Sequence, residues 1–211
     1  MQPRPPDTID LGAVVLRRWT AADVPALTVA VVESLDHLQP WMVWATPDLA
    51  TEAAFARFVV ETTARAADGG EALYGIFAPA DAPSGRLGAD GGRGELDAAP
   101  GAVLGGVGLH DRGTPGSVEI GYWLHVAATG RGLMTRIVGH LTDLALALDD
   151  VRWVEIRCDP ANASSAAVAR RLGYDLAAVV DSDRPRAPAD CGRHLVWTRT
   201  QPVGAPGATR T

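Results

Sequence analysis

At 211 residues, 47% of them hydrophobic, the chain can close one sizeable core, and its length calls for a single domain. A formal net charge of −6 at pH 7 excludes the broad basic surface that holds nucleic acid, since neutralising phosphates needs clustered Lys and Arg. Cys158 and Cys191 are too few for a disulfide framework, and both fall in segments that read as strands, where a reduced thiol packs as a small hydrophobe in a cytoplasmic protein.

The opening Met1-Gln2-Pro3-Arg4-Pro5-Pro6-Asp7 lacks the apolar centre of a signal peptide, and no apolar run approaches the roughly 20 residues of a membrane span. Residues 1–9 form a Pro-rich lead, and residues 10–200 make the domain. Residues 11–18 read as a short strand. Thr20 with Asp23 three residues on opens a helix in the manner of a capping box, expected to run to about Asp36. An aromatic connection follows, Leu38-Gln39-Pro40-Trp41-Met42-Val43-Trp44. A second helix fits residues 51–67, with Ala54, Phe55, Phe58, Val59 and Thr62 on one face and Asp68-Gly69-Gly70 as its stop.

Residues 73–78 and 102–110 read as strands around a Gly/Pro/Ala/Asp-rich stretch, 79–101, which has little to bury and is expected to be a flexible loop insertion. A strand over 117–126 precedes a helix whose apolar positions, Leu133, Ile137, Leu141, Leu144 and Leu148, recur at helical spacing. A strand over 151–158 completes a β-α-β unit. Asn162 caps a further helix through Leu172, closed by Gly173. Strands over 174–180 and 193–199 come last, before a disordered tail, 201–211.

The most informative local pattern is Gly130-Arg131-Gly132 at a strand-to-helix turn, opening the run Leu133-Met134-Thr135. Glycines there let the backbone approach a ligand, and the first amides of a helix point at an anion; with Arg131 beside them they favour a diphosphate. A dinucleotide fold would want a glycine at position 135 and an acidic residue at the tip of the next strand, but the chain has Thr135, and Glu155 lies inside that strand.

The strand Glu119-Ile120-Gly121-Tyr122-Trp123-Leu124, the Gly130-to-Thr135 turn and Asp159-Pro160-x-Asn162-x-x-Ser165, ending in Arg171-Leu172-Gly173-Tyr174, together resemble the GNAT acyltransferases. Within that family the chain is similar to the RimJ/RimL-type branch, which acetylates N-termini of ribosomal proteins, and Leu38-Gln39-Pro40-Trp41-x-x-Trp44 matches the early segment of that branch. The resemblance implies an α/β (α+β) fold: a mixed, mostly antiparallel twisted sheet of about seven strands with a V-shaped splay, flanked by about four helices. It implies acetyl-CoA as co-substrate, without a metal. Its pantetheine arm would pair with the backbone near Leu124, His125 and Val126, and its pyrophosphate would rest on the amides of Gly130, Arg131, Gly132, Leu133, Met134 and Thr135. Asn162 would cap its helix and touch the cofactor. Three positions depart from the family pattern. Thr129 and Met134 replace the usual loop residues, and Ala169 stands where many members place a tyrosine to protonate the departing thiolate.

Acyl transfer to an amine needs a base, an oxyanion donor and a group to meet the thiolate. Glu119 is the candidate base, or else a strand carboxylate pairing with a neighbouring arginine. His110 and His125 are further candidates, each also readable as a packed strand residue. Ser165 can offer its hydroxyl to the thiolate, or stabilise its own helix start. Trp41 and Trp44 would form the acceptor wall or pack in the core, with His37 beside them to orient an amine. The expected activity is acetyl transfer to a protein N-terminal α-amine. A small-molecule amine such as an antibiotic or polyamine, a succinyl-CoA donor, or a CoA-binding sensor without chemistry remain alternatives. A homodimer is expected to pair through the late strands.

Overall fold

The computed structural model describes residues 5–67, 71–80, 98–182 and 184–201. The Asp68-Gly69-Gly70 stop, most of the 79–101 loop and the tail beyond Gln201 lie outside the described residues.

Eight strands form one sheet: β1 (Thr8–Asp10), β2 (Val15–Arg18), β3 (Glu71–Phe77), β4 (Val103–His110), β5 (Ser117–Leu124), β6 (Trp153–Cys158), β7 (Asp175–Asp181) and β8 (Arg193–Thr200), in spatial order β1-β2-β3-β4-β5-β6-β8-β7. The strand beyond the seven expected is β1, whose first two residues lie in the segment read as a lead and which pairs antiparallel with β2, Ile9 opposite Leu16. Among the described residues only β5 and β6 run parallel, joined by α4 (Leu133–Leu146) as the β-α-β pattern predicts.

Two apolar clusters fill opposite faces of the sheet. On one, α4 and α5 (Ala163–Arg171) pack Ile137, Leu141 and Ala166 against Tyr74, Val107, Ile120, Val154 and Ile156. On the other, α1 (Val24–Val32) and α3 (Glu52–Ala67) pack Leu27, Val31, Phe55 and Val59 against Trp19, Phe77 and Val103. Residues two apart along a strand share a side, and the irregularity of β4 opposite Ile76 and Phe77 shifts that alternation, so Val103 and Val107 lie on different faces.

The helix expected over 20–36 is instead two, α1 and the single turn α2 (Leu35–Leu38). They part at Ser34, which is 1% exposed and accepts the Val126 amide on its Oγ at 3.1 Å. A long-range hydrogen bond thus marks the break in a helix whose local pattern was continuous. Asp23 holds the start of α1, accepting from the Thr20 amide at 2.8 Å and from Arg17 at 2.6 and 2.7 Å. Cys191 does not lie in a strand: it sits exposed in the loop before β8, while Cys158 is buried at the end of β6.

Candidate active site

Although β5 spans eight residues and β6 six, their parallel register covers only Ser117 to Glu119 against Trp153 to Glu155. Beyond Glu119 the strands part, and a cavity of about 710 Å³ opens there, lined by Gly121, Tyr122 and Trp123 on one side and Arg157, Cys158 and Asp159 on the other. The His125 amide bonds the Leu104 carbonyl at 2.8 Å, which fixes the parity of the β4–β5 ladder. Odd-numbered residues of β5 face β4, so the peptide groups of Tyr122 and Leu124 turn toward the gap. Leu124 thus presents backbone to the gap. His125 does not: besides its amide, its Nδ1 accepts from the Ala127 amide at 3.2 Å and its Nε2 donates to Glu33 at 3.0 Å. The Val126 amide is taken by Ser34.

At the C-terminal end of β5 the chain turns through residues 126–128 into the glycine loop. Gly130 and Gly132 both have φ +73°, and a Cβ on either would meet nothing within 4 Å. The backbone conformation, not crowding, is what asks for glycine. The first amide of α4 to find a helical acceptor is that of Arg136, on the Gly132 carbonyl at 3.2 Å, so the amides of Leu133, Met134 and Thr135 have no helical partner. The side chains of Leu133 and Met134 are buried, leaving those two residues only their backbone for an anion. Arg131 donates from Nε to the Ala127 carbonyl at 3.3 Å, and the Thr129 hydroxyl closes the preceding turn on Val126 at 2.8 Å. Residues 124–135 stand outside the cavity lining.

Across the gap, Asn162 accepts the Ser165 amide on Oδ1 at 3.1 Å, and both residues line the cavity. The Ser165 hydroxyl lies 2.9 Å from the Tyr122 hydroxyl. Burial pushes the Tyr122 phenol up, so it stays protonated and able to donate. Ala169 is fully buried, and the phenol at this end of the gap, beside Ser165, comes from β5 instead. Burial likewise raises the Cys158 thiol, which lines the same end and stays neutral.

Glu119 is 4% exposed and held by arginine. Arg184 engages it with two bonds, at 2.5 and 3.0 Å, while Arg112 stands at 3.5 Å and Arg157 at 3.8 Å. Burial alone would raise the carboxyl, but Arg184, backed by Arg112, outweighs it and holds the pKa below the usual carboxylate range. A carboxylate stabilised this way is a weak proton acceptor, and the pairing with arginine is what the structure displays.

Opposite Glu119 on β4 is His110, whose Nδ1 lies 2.9 Å from Glu71 Oε1 on β3. An ionised carboxylate only accepts, so Nδ1 carries the proton and Nε2 keeps its lone pair. Burial lowers the His110 pKa more than Glu71 raises it, so the ring is neutral at pH 7. The imidazole lies over two glycines: a Cβ on Gly108 would come within 2.8 Å of Nε2, and one on Gly121 within 3.1 Å. The ring therefore reaches from β4 across to the point where β5 leaves β6.

The far wall of the cavity is built by the connection after α2 and by α3. Trp41 and Trp44 line it, Trp44 standing edge-on to Trp123 at 5.9 Å. His37 does not join them. It sits on α2 outside the cavity lining, where burial and the neighbouring His125 lower its pKa. The loop between β7 and β8 closes the cavity from above through Arg184, Ala187 and Asp190, tied to the Trp41 segment by the Ala189 amide on the Pro40 carbonyl at 3.0 Å.

Sequence reasoning did not single out Glu71, Arg112, Tyr122, Arg157 or Arg184 for the site. The one available signal was parity: Glu71, His110 and Glu119 share a face only once the strand register is known.

A family model described as an acetyltransferase (GNAT) domain matches residues 13–175. No sequence among the curated proteins matches the chain. Among solved structures, it is similar to RimL, a ribosomal L7/L12 alpha-N-protein acetyltransferase in complex with coenzyme A, at 21% identity and TM-score 0.74, covering 92% of this chain and 97% of that one. The microcin C7 self immunity acetyltransferase MccE, in complex with acetyl-CoA and AMP, is 15% identical with TM-score 0.74, covering 93% and 97%. An acetyl transferase from Salmonella typhimurium that modifies the N-terminal serine of the 50S ribosomal subunit protein L7/L12 is 21% identical with TM-score 0.69, covering 89% and 94%.

Proposed function

Since the chain belongs to the GNAT acetyltransferase family, we propose that it moves the acetyl group of acetyl-CoA to a primary amine by direct attack in a ternary complex, with a protein N-terminal α-amine as acceptor. The observation that carries this reading is the parting of β5 from β6 beside a glycine loop whose first helix amides have no helical acceptor among the described residues. The likeness to RimL with coenzyme A and to MccE with acetyl-CoA supports the choice of cofactor. Amides of residues 130–135 would hold the diphosphate, and the peptide groups of Tyr122 and Leu124 would pair the pantetheine arm. The expected His125 contact drops out of this reading, because both its ring nitrogens and its amide are engaged within the chain.

In this reading the thiolate meets the hydroxyls of Ser165 and Tyr122 at the start of α5, where the helix end also favours negative charge. The base is His110, oriented by Glu71, and Glu119 anchors the arginines. Neutral at pH 7, His110 can take the proton of an ammonium, directly or through one water, whereas Glu119 has its basicity spent on Arg184.

Calorimetry with acetyl-CoA, followed by a transfer assay on N-terminal peptides, tests the function: absence of binding heat would remove it. Gly132→Val should raise the acetyl-CoA Kd about tenfold, because a β-branched residue at this φ costs roughly 1–2 kcal/mol. An unchanged Kd would take the loop out of the binding site. Tyr122→Phe and Ser165→Ala should each lower kcat about tenfold, and the double variant should lose little more, since the two hydroxyls act as one donor pair. Fully multiplicative losses would show that they act apart.

The reading places the enzyme in the cytoplasm, consistent with its two free cysteines, and as a homodimer. β7 is an edge strand that leaves Leu176 and Val179 48% and 40% exposed, a surface that a second copy would cover. Light scattering should report twice the chain mass, and Val179→Lys should return the monomer.

A further inference from the structure

The cavity divides at Gly121 into two chemically different halves. Toward the C-terminal end of β5 its wall is Trp41, Met42, Trp44, Phe55, Phe58 and Trp123. The Trp123 indole is laid over Gly106, where a Cβ would fall 2.6 Å from Nε1, and this flattens the floor. Val43 and Leu49 line the same half with 41% and 45% of their surface exposed, so apolar area there has no internal partner. Toward the N-terminal end of β5 the wall is Arg112, Arg157 and Arg184 around Glu119. Arg112 reaches Glu119 only at 3.5 Å, at the limit of a hydrogen bond, and keeps 42% of its side chain exposed.

An α-amine poised over Gly121 beside His110 has two groups diverging from its Cα, the side chain and the carbonyl arm. Each half of the cavity suits one of them. Resting on the acetyltransferase reading above, we infer that the acceptor is an α-amine whose first side chain is large and apolar, such as Leu, Met or Phe, and whose following group is anionic. The side chain fills the aromatic half, and the acidic second residue meets Arg112. A Ser or Ala side chain leaves water against apolar walls. A polyamine has no anionic group to meet Arg112 and no apolar side chain to fill the aromatic half.

The test is a kinetic panel with the full chain and acetyl-CoA: peptides beginning Leu, Met, Phe, Ser or Ala, each followed by Asp or Lys, with spermidine as the cationic amine. The Leu, Met and Phe peptides should exceed Ser and Ala at least about tenfold in kcat/KM, the discrimination an apolar pocket supplies for several methylenes, and Asp should exceed Lys by a similar factor. Trp44→Ala should collapse the first ratio, and Arg112→Ala the second. Ser or Ala peptides turned over as fast as Leu, or spermidine preferred to all peptides, would overturn the inference while leaving the transferase intact. Bound acetyl-CoA with no transfer to any amine would remove the transferase reading itself, and the inference with it.

Discussion

His110→Gln is expected to lower kcat by two to three orders of magnitude while leaving acetyl-CoA binding unchanged. Removing a positioned general base typically forfeits about 10²–10⁴ in rate, and this imidazole does not touch the phosphate loop. The fold should survive, because a glutamine amide can still donate to Glu71, the partner that orients the ring at 2.9 Å. The pH profile separates this role from a packing role. Burial lowers the His110 pKa below the ordinary value of about 6.5, so the base is ready at neutral pH and kcat/KM falls only on the acid side, as pH drops through the lowered pKa. Glu71 acts in the opposite direction, raising the pKa of the ring. Glu71→Gln should therefore shift the acid limb to still lower pH while reducing the plateau about tenfold, the mark of a weaker, less oriented base. A His110→Gln enzyme with full kcat would remove His110 from the chemistry.

Glu119→Gln should instead act on stability. Breaking a buried ion pair by deleting one partner costs about 3–5 kcal/mol when both charges are buried, but Arg184 and Arg112 keep 35% and 42% of their side chains exposed and can recover water. The expected loss is therefore about 2 kcal/mol, read as a lower urea midpoint at pH 7 with unchanged slope. The sign of its pH dependence follows from the lowered carboxyl pKa. The stabilisation is complete above the unfolded value of about 4.3 and disappears as pH falls through the folded pKa, so wild type and variant should converge in acid. Glu119 as the base would look different: intact stability, a kcat collapse and loss of the acid limb.

The two variants therefore divide the work of neighbouring side chains that face each other across β4 and β5. One histidine is kept neutral by burial and aimed by a carboxylate. One carboxylate is kept charged by arginine. Their environments push them in useful directions for different reasons, which is how two titratable groups in register acquire different roles.

Much of the fold was legible because its signals are local. The apolar spacing of Leu133, Ile137 and Leu141 marked α4, Asn162 marked the start of α5, and Gly130 and Gly132 marked a turn whose amides cannot all pair within a helix. Each of these features is settled by a few consecutive φ/ψ values or by one helical period, so contiguous residues suffice to specify it. His37 lies on α2, past a break after Val32 that is marked by Ser34, whose hydroxyl bonds an amide 92 residues away. The charge relations were beyond local reading for the same reason: Glu71 and His110 are 39 residues apart, Tyr122 and Ser165 are 43 apart, and Glu119 and Arg184 are 65 apart. The amino-acid order by itself determined the strand-to-helix turn with its anion-seeking amides and the family it belongs to. Only the tertiary structure decided which carboxylate meets arginine and which meets histidine, because strand register, fixed by packing across the whole sheet, chooses the neighbours of every side chain.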